Sequence, residues 1–309
     1  MSNTKRTRQI RGCACLALAM SIAGSAVVAG KLIVSSLPVF LAAELGLLAS
    51  LTVLLPLLFC RYPSPFRLDG KTHLILLGQA ILGIVLYRIF MFWGLSLTSA
   101  AAGGLIGSAA PAMIALMAYF ILHEKITATR LASVACVCLG ILALQLPTLP
   151  GSPVQAGNAF AGNILILVAV TCEAGFSVMS KARCHPIAPL HRTALVSLYA
   201  FLCLLPFTLS DGVNAHWEAI PAATWLSILY YGLIVSFLSY TLWFEGIAIL
   251  PASAAASFTG LVPIAGVFLS WAILDERISF SHWIALSCVL TGIALSCLPE
   301  KSLHLPAGR

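Results

Sequence analysis

The sequence predicts an all-α membrane protein of ten transmembrane helices, arranged as two inverted five-helix repeats. Three observations predict this fold: an apolar composition, a series of membrane-length apolar stretches, and an internal repeat. Of the 309 residues, 60% are hydrophobic and only 9% are charged, whereas a soluble domain carries about 25% charged residues. Such a chain cannot cover a water-facing surface, so lipid is its expected solvent.

The apolar stretches are about 20 residues long, which is enough to cross the hydrocarbon core. They are residues 12–30, 39–59, 73–95, 100–122, 127–146, 163–179, 193–209, 224–247, 252–274 and 282–298. The first follows a basic segment, as in a signal peptide, but its length favours an uncleaved span. We therefore divide the chain as follows: a cytoplasmic tail (1–11), a first repeat (12–146), an inter-repeat loop (147–162), a second repeat (163–298) and a cytoplasmic tail (299–309).

The internal repeat is visible as two copies of one pattern, which a constant offset aligns without gaps. The aligned pairs include Gly94 with Gly246, Ala100 with Ala252, Pro111 with Pro263, and Glu124 with Glu276. Five spans per copy is an odd number, so the second copy must enter the membrane from the opposite side. Inverted repeats of this kind are common among secondary transporters.

The basic residues predict the orientation, because Lys and Arg are enriched in cytoplasmic loops. With the N-terminus inside, 14 of the 17 Lys and Arg residues fall on the cytoplasmic side. Only Lys31 and Arg277 lie outside, and Arg88 lies within a span. We therefore expect a multi-pass protein of the inner (plasma) membrane with both termini in the cytoplasm.

Together these patterns resemble a known family. The segment Leu250-Pro-Ala-Ser-Ala-Ala, followed by Pro263, Leu274-Asp-Glu-Arg-Ile278 and Gly292, resembles the second EamA-type repeat of the drug/metabolite transporter superfamily. The first copy, with Pro111, Glu124 and Gly140, resembles the first repeat. The resemblance covers about residues 12–298. It implies a central cavity between the halves and movement of small metabolites or drugs, often outward.

The resemblance also implies which spans matter. The third, fourth, eighth and ninth would line the cavity, with parts of the first and sixth, and the fifth and tenth would serve packing or dimer contact. One departure concerns the second span, where many members carry an Arg a few residues after a Pro. Here Pro38 is followed by Glu44, so the charge at that position is inverted.

Ionisable side chains inside a span are candidate functional residues, because each costs about 2.5–3.5 kcal/mol on insertion scales. Arg88 stays charged and needs a carboxylate or carbonyl partner, and Glu44 lies at a similar depth. Two interpretations stay open: a substrate-binding pair, with Glu44 taking an amine and Arg88 a carboxylate, or a structural ion pair. Glu173 is a candidate proton-sensitive site because desolvation favours its neutral form. The alternative is a neutral Glu173 bonded to a neighbouring carbonyl.

Aromatic and interfacial residues supply further candidates. Tyr240 and Trp243 are predicted to stack on a substrate, although interfacial aromatic belts are the commoner explanation for such residues. Lys181 with Glu245 is a candidate gate at the cytoplasmic mouth, and Lys31 with Glu44 is its counterpart outside. The alternative for these charges is snorkelling to the interface.

Small residues and prolines suggest where helices bend or pack. Pro111 and Pro263 remove backbone hydrogen bonds in matching positions of the two halves, which points to a binding site between them. Gly103-x-x-x-Gly107 and Gly260 are candidates for close helix packing. Pure packing is the alternative to a moving seam.

The sequence thus favours a secondary transporter of a small polar or amphipathic metabolite such as an amino acid or a related amine, and the family resemblance implies export. Proton coupling and homodimer formation are candidate properties, and the lipid bilayer is the expected partner. No cofactor, metal or nucleic acid is expected, since the basic residues are scattered and the histidines lie at span ends, in loops or in the tail. The alternatives are a transporter of a sugar- or phosphate-linked anion, and an intramembrane enzyme or sensor.

Overall fold

The computed structural model describes most of the chain. The described residues are 3–110, 112–114, 116–117, 128–143, 156–180, 187–214, 217–249, 258 and 260–296. Within them, all regular secondary structure is helical. Pro111, Glu124 and Lys181 lie outside these residues.

The described helices are numbered in chain order. They are α1 (Asn3–Val34), α2 (Val39–Arg61), α3 (Gly70–Leu97), α4 (Ala100–Gly107), α5 (Ala128–Ala143), α6 (Ala156–Ser180), α7 (Pro189–Asn214), α8 (222–249), α9 (Leu261–Leu274) and α10 (Phe280–Ser296). Two of them begin earlier than the sequence predicts. α1 takes in residues 3–11 of the predicted tail, and α6 takes in residues 156–162 of the predicted inter-repeat loop.

Six of the described helices are long and apolar enough to cross a membrane, judged by length and composition. The qualifying segments are Thr7–Val34, Val39–Arg61, Gly70–Leu97, Asn158–Phe176, Leu190–Leu209 and Ala222–Trp243. α9 and α10 are apolar but shorter. The chain is therefore a multi-pass membrane protein, while the count of ten spans and the inverted orientation stay predictions.

The two halves of the chain interleave through two close helix contacts. A Cβ on Gly94 of α3 would lie 2.8 Å from the Gly162 carbonyl oxygen of α6. A Cβ on Gly246 of α8 would lie 2.5 Å from the Leu16 side chain of α1 and 3.4 Å from the Gly12 carbonyl oxygen. Since only glycine leaves room for such contacts, α6 packs on the first half and α1 on the second. Elsewhere α2 packs on α7, and α5 packs on α10.

A π-helical segment interrupts each of α3 and α8. These segments are Ile81–Leu86 and Tyr230–Leu238. The offset of 152 residues between Gly94 and Gly246 maps Ile81–Leu86 onto 233–238, so the two segments overlap in the repeat. π-helical turns occur frequently at functional sites. The same offset maps Arg88, just after the first segment, onto Tyr240, just after the second.

The helical path is also broken at matching points before the two aligned prolines. α4 ends at Gly107, and Ser108 and Ala109 form a turn. α9 begins at Leu261 with Gly260 as its N-cap. Pro263 lies in the first turn of α9, where a missing N–H costs no helical hydrogen bond. Pro263 therefore marks the start of a helical segment.

The two glycines of the predicted Gly103-x-x-x-Gly107 packing motif differ in their described contacts. A Cβ on Gly103 would meet the Leu95 side chain of the preceding helix at 2.7 Å, and no described atom lies within 4 Å of a Cβ on Gly107. The close contact of α4 with α9 instead uses Gly104, whose Cβ would lie 3.3 Å from the Gly266 Cα. The reason is rotational: residues one apart on a helix point about 100° from each other.

Candidate functional site

Arg88 joins three helices at the centre of the candidate site. It lies on α3 and is only 7% exposed. One guanidinium nitrogen donates to the Ala43 carbonyl oxygen of α2 at 3.0 Å, and another donates to Ser236 Oγ of α8 at 3.1 Å. The guanidinium carbon lies 5.1 Å from the centre of the Tyr231 ring, a cation–π distance.

Two glycines let Arg88 reach both neighbouring helices. A Cβ on Gly46 would lie 3.0 Å from the Arg88 guanidinium, and a Cβ on Gly232 would lie 2.8 Å from the Gly46 carbonyl oxygen. The π-helical segment of α8 positions the third partner, because Ser236 Oγ donates to the Tyr231 carbonyl oxygen five residues earlier at 3.0 Å. Since that bond uses the hydroxyl hydrogen, an oxygen lone pair of Ser236 is left for Arg88.

Glu44 lies close to Arg88 but is not its partner. The side chain is 4% exposed, and its two carboxyl oxygens have no hydrogen-bond partner among the described residues. The two groups are near enough to interact electrostatically. The predicted direct ion pair is nevertheless absent from the described part of the chain, where Arg88 bonds to the carbonyl of Ala43 instead.

Glu173 of α6 faces the same region from the other half of the chain. It is half-buried and lies within electrostatic range of the hydroxyl groups of Tyr87, Tyr231 and Tyr240, as does Arg88. The described ring contact of Arg88 is with Tyr231. The structure therefore brings one acid and one cation together around three tyrosines.

The predicted aromatic residues differ in their surroundings. Tyr240 keeps 55% of its surface accessible and lies within electrostatic range of Glu173 and Arg88. Trp243 lies three residues further along α8 and is half-buried. Tyr240 is therefore part of the cluster, whereas the ligand contact of Trp243 stays a prediction.

Glu245, one member of the predicted inner gate, has a described partner. Glu245 forms an ion pair with Arg11 of α1, with a nitrogen–oxygen distance of 2.8 Å. Lys181, its predicted partner, lies outside the described residues. Arg11 was missed because it was assigned to a cytoplasmic tail, whereas the helix α1 begins at Asn3 and brings it beside α8.

The predicted outer gate is also different. Lys31 Nζ donates to the carbonyl oxygens of Leu95 and Thr98, at 2.5 and 2.6 Å, instead of pairing with Glu44. These carbonyls lie at the C-terminal end of α3, where helical acceptors lack partners and a cation is favoured.

Glu276 has a role that the sequence reasoning missed. Its carboxylate accepts hydrogen bonds from the backbone N–H groups of Ala100 and Ala101, at 2.8 and 3.0 Å. Glu276 therefore caps the start of α4, which belongs to the other half of the chain.

The cluster also contains residues that the sequence analysis did not single out. These are Tyr87, Tyr231 and Ser236. One signal for them was available, because the repeat offset aligns Arg88 with Tyr240 and so marks both surrounding segments as equivalent parts of one site. Hydroxyl and phenol groups are common in membrane helices, which is why composition alone did not identify them.

Comparison with known proteins identifies the family. The chain matches the EamA-like transporter family over residues 10–145 and 160–298. It is 36% identical to the uncharacterized transporter YetK of Bacillus subtilis (strain 168) over 286 residues, which cover 93% of this chain and 86% of YetK. It is 25% identical to the uncharacterized transporter YyaM of the same organism, over 73% of each protein.

A solved crystal structure of a protein resembles the fold, with a TM-score of 0.58 and 18% sequence identity. The similarity covers 94% of this chain and 96% of that one. The resemblance drawn from the repeat motifs is therefore confirmed, and the chain belongs to the EamA-like transporter family.

Proposed function

We propose that this protein is a secondary transporter of the inner membrane, with both termini in the cytoplasm, that exports a small amino-acid-like metabolite or a related amine. The observation that carries the proposal is the state of Arg88. It is a buried cation whose guanidinium lies within ion-pair distance of no carboxylate in the described part of the chain. A buried charge that no carboxylate contacts directly is costly, so a ligand carboxylate beside it would be favoured.

The geometry suits a zwitterion. Arg88 uses its guanidinium to contact Ala43 and Ser236, yet a guanidinium carries five N–H donors in a planar fork that matches a carboxylate. Glu173 and the ring of Tyr240 supply the complementary features for an amine, namely an acid and an aromatic face. A substrate with both groups would bridge the two halves of the chain.

The surrounding helices support transport by alternating access. α4 ends and α9 begins at matching points of the repeat, as expected if both spans are discontinuous, and discontinuous helices are typical of transporter binding sites. The anion alternative would need at least two basic side chains at the site. Arg88 is the one basic residue that the described part places in electrostatic range of the three tyrosines. The proposal involves no covalent chemistry.

The test is an untargeted comparison of growth media from cells expressing matched membrane levels of wild type, Arg88→Ala and Glu173→Gln. Two control variants change exposed charges outside the site: Arg61→Ala at the end of α2 and Glu218→Gln in a surface turn. We expect a metabolite with a carboxylate, an amine or both to accumulate with wild type and both controls, and to be lost with both site variants.

The result also assigns the two charges. If the Arg88→Ala variant still exports an amine that lacks a carboxylate, the Glu173 contact is sufficient for binding that substrate. Export that is undiminished in both site variants would contradict the proposed site, and media that are identical with and without the wild-type protein would contradict export.

A further inference from the structure

A polar cluster closes the end of the helix bundle at which α3 finishes and α4 begins. Lys31, from the end of α1, donates to the carbonyl oxygens of Leu95 and Thr98. Glu276, from the connection between α9 and α10, accepts from the amides of Ala100 and Ala101. One short turn is therefore held from both sides by oppositely charged residues that are distant in sequence.

The two charges match the two helix ends that they contact. The last carbonyls of α3 are acceptors without helical partners, and the first amides of α4 are donors without helical partners. The helix dipoles add partial negative charge at the first site and partial positive charge at the second. Lys31 and Glu276 also attract each other. Each residue therefore satisfies one helix end and neutralises the other residue.

The turn is tied to a further helix by a buried hydrogen bond. Thr98 Oγ1 donates to Asn163 Oδ1 of α6 at 2.8 Å, and both side chains are buried. The cluster thus connects α1, the α3–α4 turn, α6 and the α9–α10 connection. These elements come from both halves of the chain, so separating the halves at this end would require breaking these contacts.

The opposite end of α1 is held much more weakly. There, Arg11 and Glu245 form an ion pair whose side chains are 68% and 45% exposed. Pairs exposed to this extent contribute little to stability because water and salt screen them. At the two ends of α1, the more buried contacts are therefore those of Lys31, which is the arrangement expected if the α3–α4 end is closed.

We propose that Lys31 and Glu276 form a gate, the α3–α4 clamp, that holds one mouth of the protein closed and must release during each transport cycle. This inference rests on the proposed transport function but not on the identity of the substrate. Releasing the clamp would free the carbonyls of α3 and the amides of α4 to water, which can replace both sets of hydrogen bonds. Because water replaces these hydrogen bonds, the free energy of opening stays small enough for repeated transport cycles.

The test measures from which side of the membrane a membrane-impermeant reagent reaches the cluster of Arg88, Glu173 and the three tyrosines. A Tyr240→Cys reporter is labelled with a membrane-impermeant maleimide, in intact cells from outside and in inside-out vesicles from the cytoplasmic side. Peptide mass spectrometry reads the reporter separately from the ten native cysteines. The charge count places the clamp at the outer face, so opening it should increase labelling from outside and decrease labelling from inside.

Three clamp variants are compared in the reporter background: Glu276→Ala, Glu276→Gln and Lys31→Met. Asp275→Asn is the matched control, since Asp275 is the adjacent exposed carboxylate and has a left-handed backbone that Asn tolerates. Loss of a helix cap corresponds to roughly a 2- to 30-fold change in an equilibrium. We expect the outside-to-inside labelling ratio to rise within that range for Glu276→Ala and Lys31→Met, less for Glu276→Gln, and not for the control.

Several outcomes would overturn the proposal. An unchanged ratio in all three variants would mean that the clamp is a permanent structural contact. Equal increases from both sides would indicate general loosening, and an increase from inside alone would place the opening at the wrong end. Because the ratio is measured without substrate, failure to find an exported metabolite would leave this result intact and would count against the proposed function alone.

A charge-swapped variant tests the cap geometry. In Lys31→Glu with Glu276→Lys, the two charges still attract each other, but each now faces the wrong helix end. We expect the swap to keep the raised labelling ratio. A return to the wild-type ratio would show that mutual attraction suffices and would refute the role of the helix ends.

Discussion

Substituting Gly232 by alanine should damage transport more than stability. Gly232 lies where α8 comes closest to α2: an added Cβ would lie 2.5 Å from the Ala49 Cβ, 2.8 Å from the Gly46 carbonyl oxygen and 3.1 Å from the Ser50 amide nitrogen. Carbon atoms in contact normally lie about 3.5–4.0 Å apart. The two helices would therefore have to separate by about 1 Å.

The cost to folding should be modest because two effects oppose each other. Overpacking of this kind destabilises by about 1–3 kcal/mol, while replacing a helical glycine by alanine returns up to about 1 kcal/mol. We expect the free energy of unfolding to fall by roughly 0–2 kcal/mol.

The cost to the site should be larger. Arg88 spans the same interface with bonds of 3.0 and 3.1 Å, so a separation of about 1 Å would take one of them beyond hydrogen-bond distance. Displacements of about 1 Å can reduce function by about 100-fold.

The assay combines two measurements on the same variants. Unfolding of the purified protein is followed with a thiol-reactive dye on native cysteines, and export is followed by metabolite accumulation in the medium. Gly107→Ala is the control, because no described atom lies within 4 Å of its added Cβ. The double variant Gly232→Ala with Ala49→Gly removes the closest clash and should recover part of the export.

The reasoning would be refuted by Gly232→Ala retaining both wild-type export and the wild-type unfolding midpoint. It would also be refuted by a Gly107→Ala variant that loses as much export as Gly232→Ala. A failure of Ala49→Gly to restore any export would show that the Ala49 contact is not what limits the approach of α8.

Three further predictions follow from single contacts. Ser236→Ala removes a hydrogen-bond acceptor from a buried guanidinium and should lower the free energy of unfolding by about 1–3 kcal/mol, as measured by denaturant titration. Ser236→Thr keeps a hydroxyl and should retain most of the wild-type free energy of unfolding. Asp275 has a φ of 53°, so Asp275→Gly should leave the unfolding midpoint unchanged or raised, while Asp275→Val should cost about 1–2 kcal/mol. Glu245→Gln removes an exposed ion pair and should not shift the unfolding midpoint at physiological salt; a clear downward shift would show that the Arg11 contact is structurally important.

Some parts of the site could be predicted from the sequence because they depend on the environment of a single residue. An ionisable group in an apolar stretch is rare, and this identified Arg88, Glu44 and Glu173 without any tertiary contact. The structure brings Arg88 and Glu173 to one tyrosine cluster and leaves Glu44 beside it without a hydrogen-bond partner in the described part of the chain.

The pairings were predicted poorly for a common reason. Partners were chosen by depth along the helix, which is one coordinate, whereas a hydrogen bond also depends on rotation about each helix axis and on which helices are neighbours. Lys31 is at a suitable depth for Glu44, yet it points to the end of α3. Glu245 meets Arg11 because α1 packs beside α8, a crossing between halves that hydropathy does not reveal.

The amino-acid order alone determined that the chain is a membrane protein, that its halves repeat, and to which transporter family it belongs. These properties are written in composition, apolar length and motif spacing, which need no knowledge of neighbours. Only the tertiary structure decided that Glu276 caps the opposite half and that π-helical segments place Ser236 against Arg88. Such contacts join residues more than a hundred positions apart, and their geometry is fixed by the packing of whole helices, to which each residue contributes only a small part.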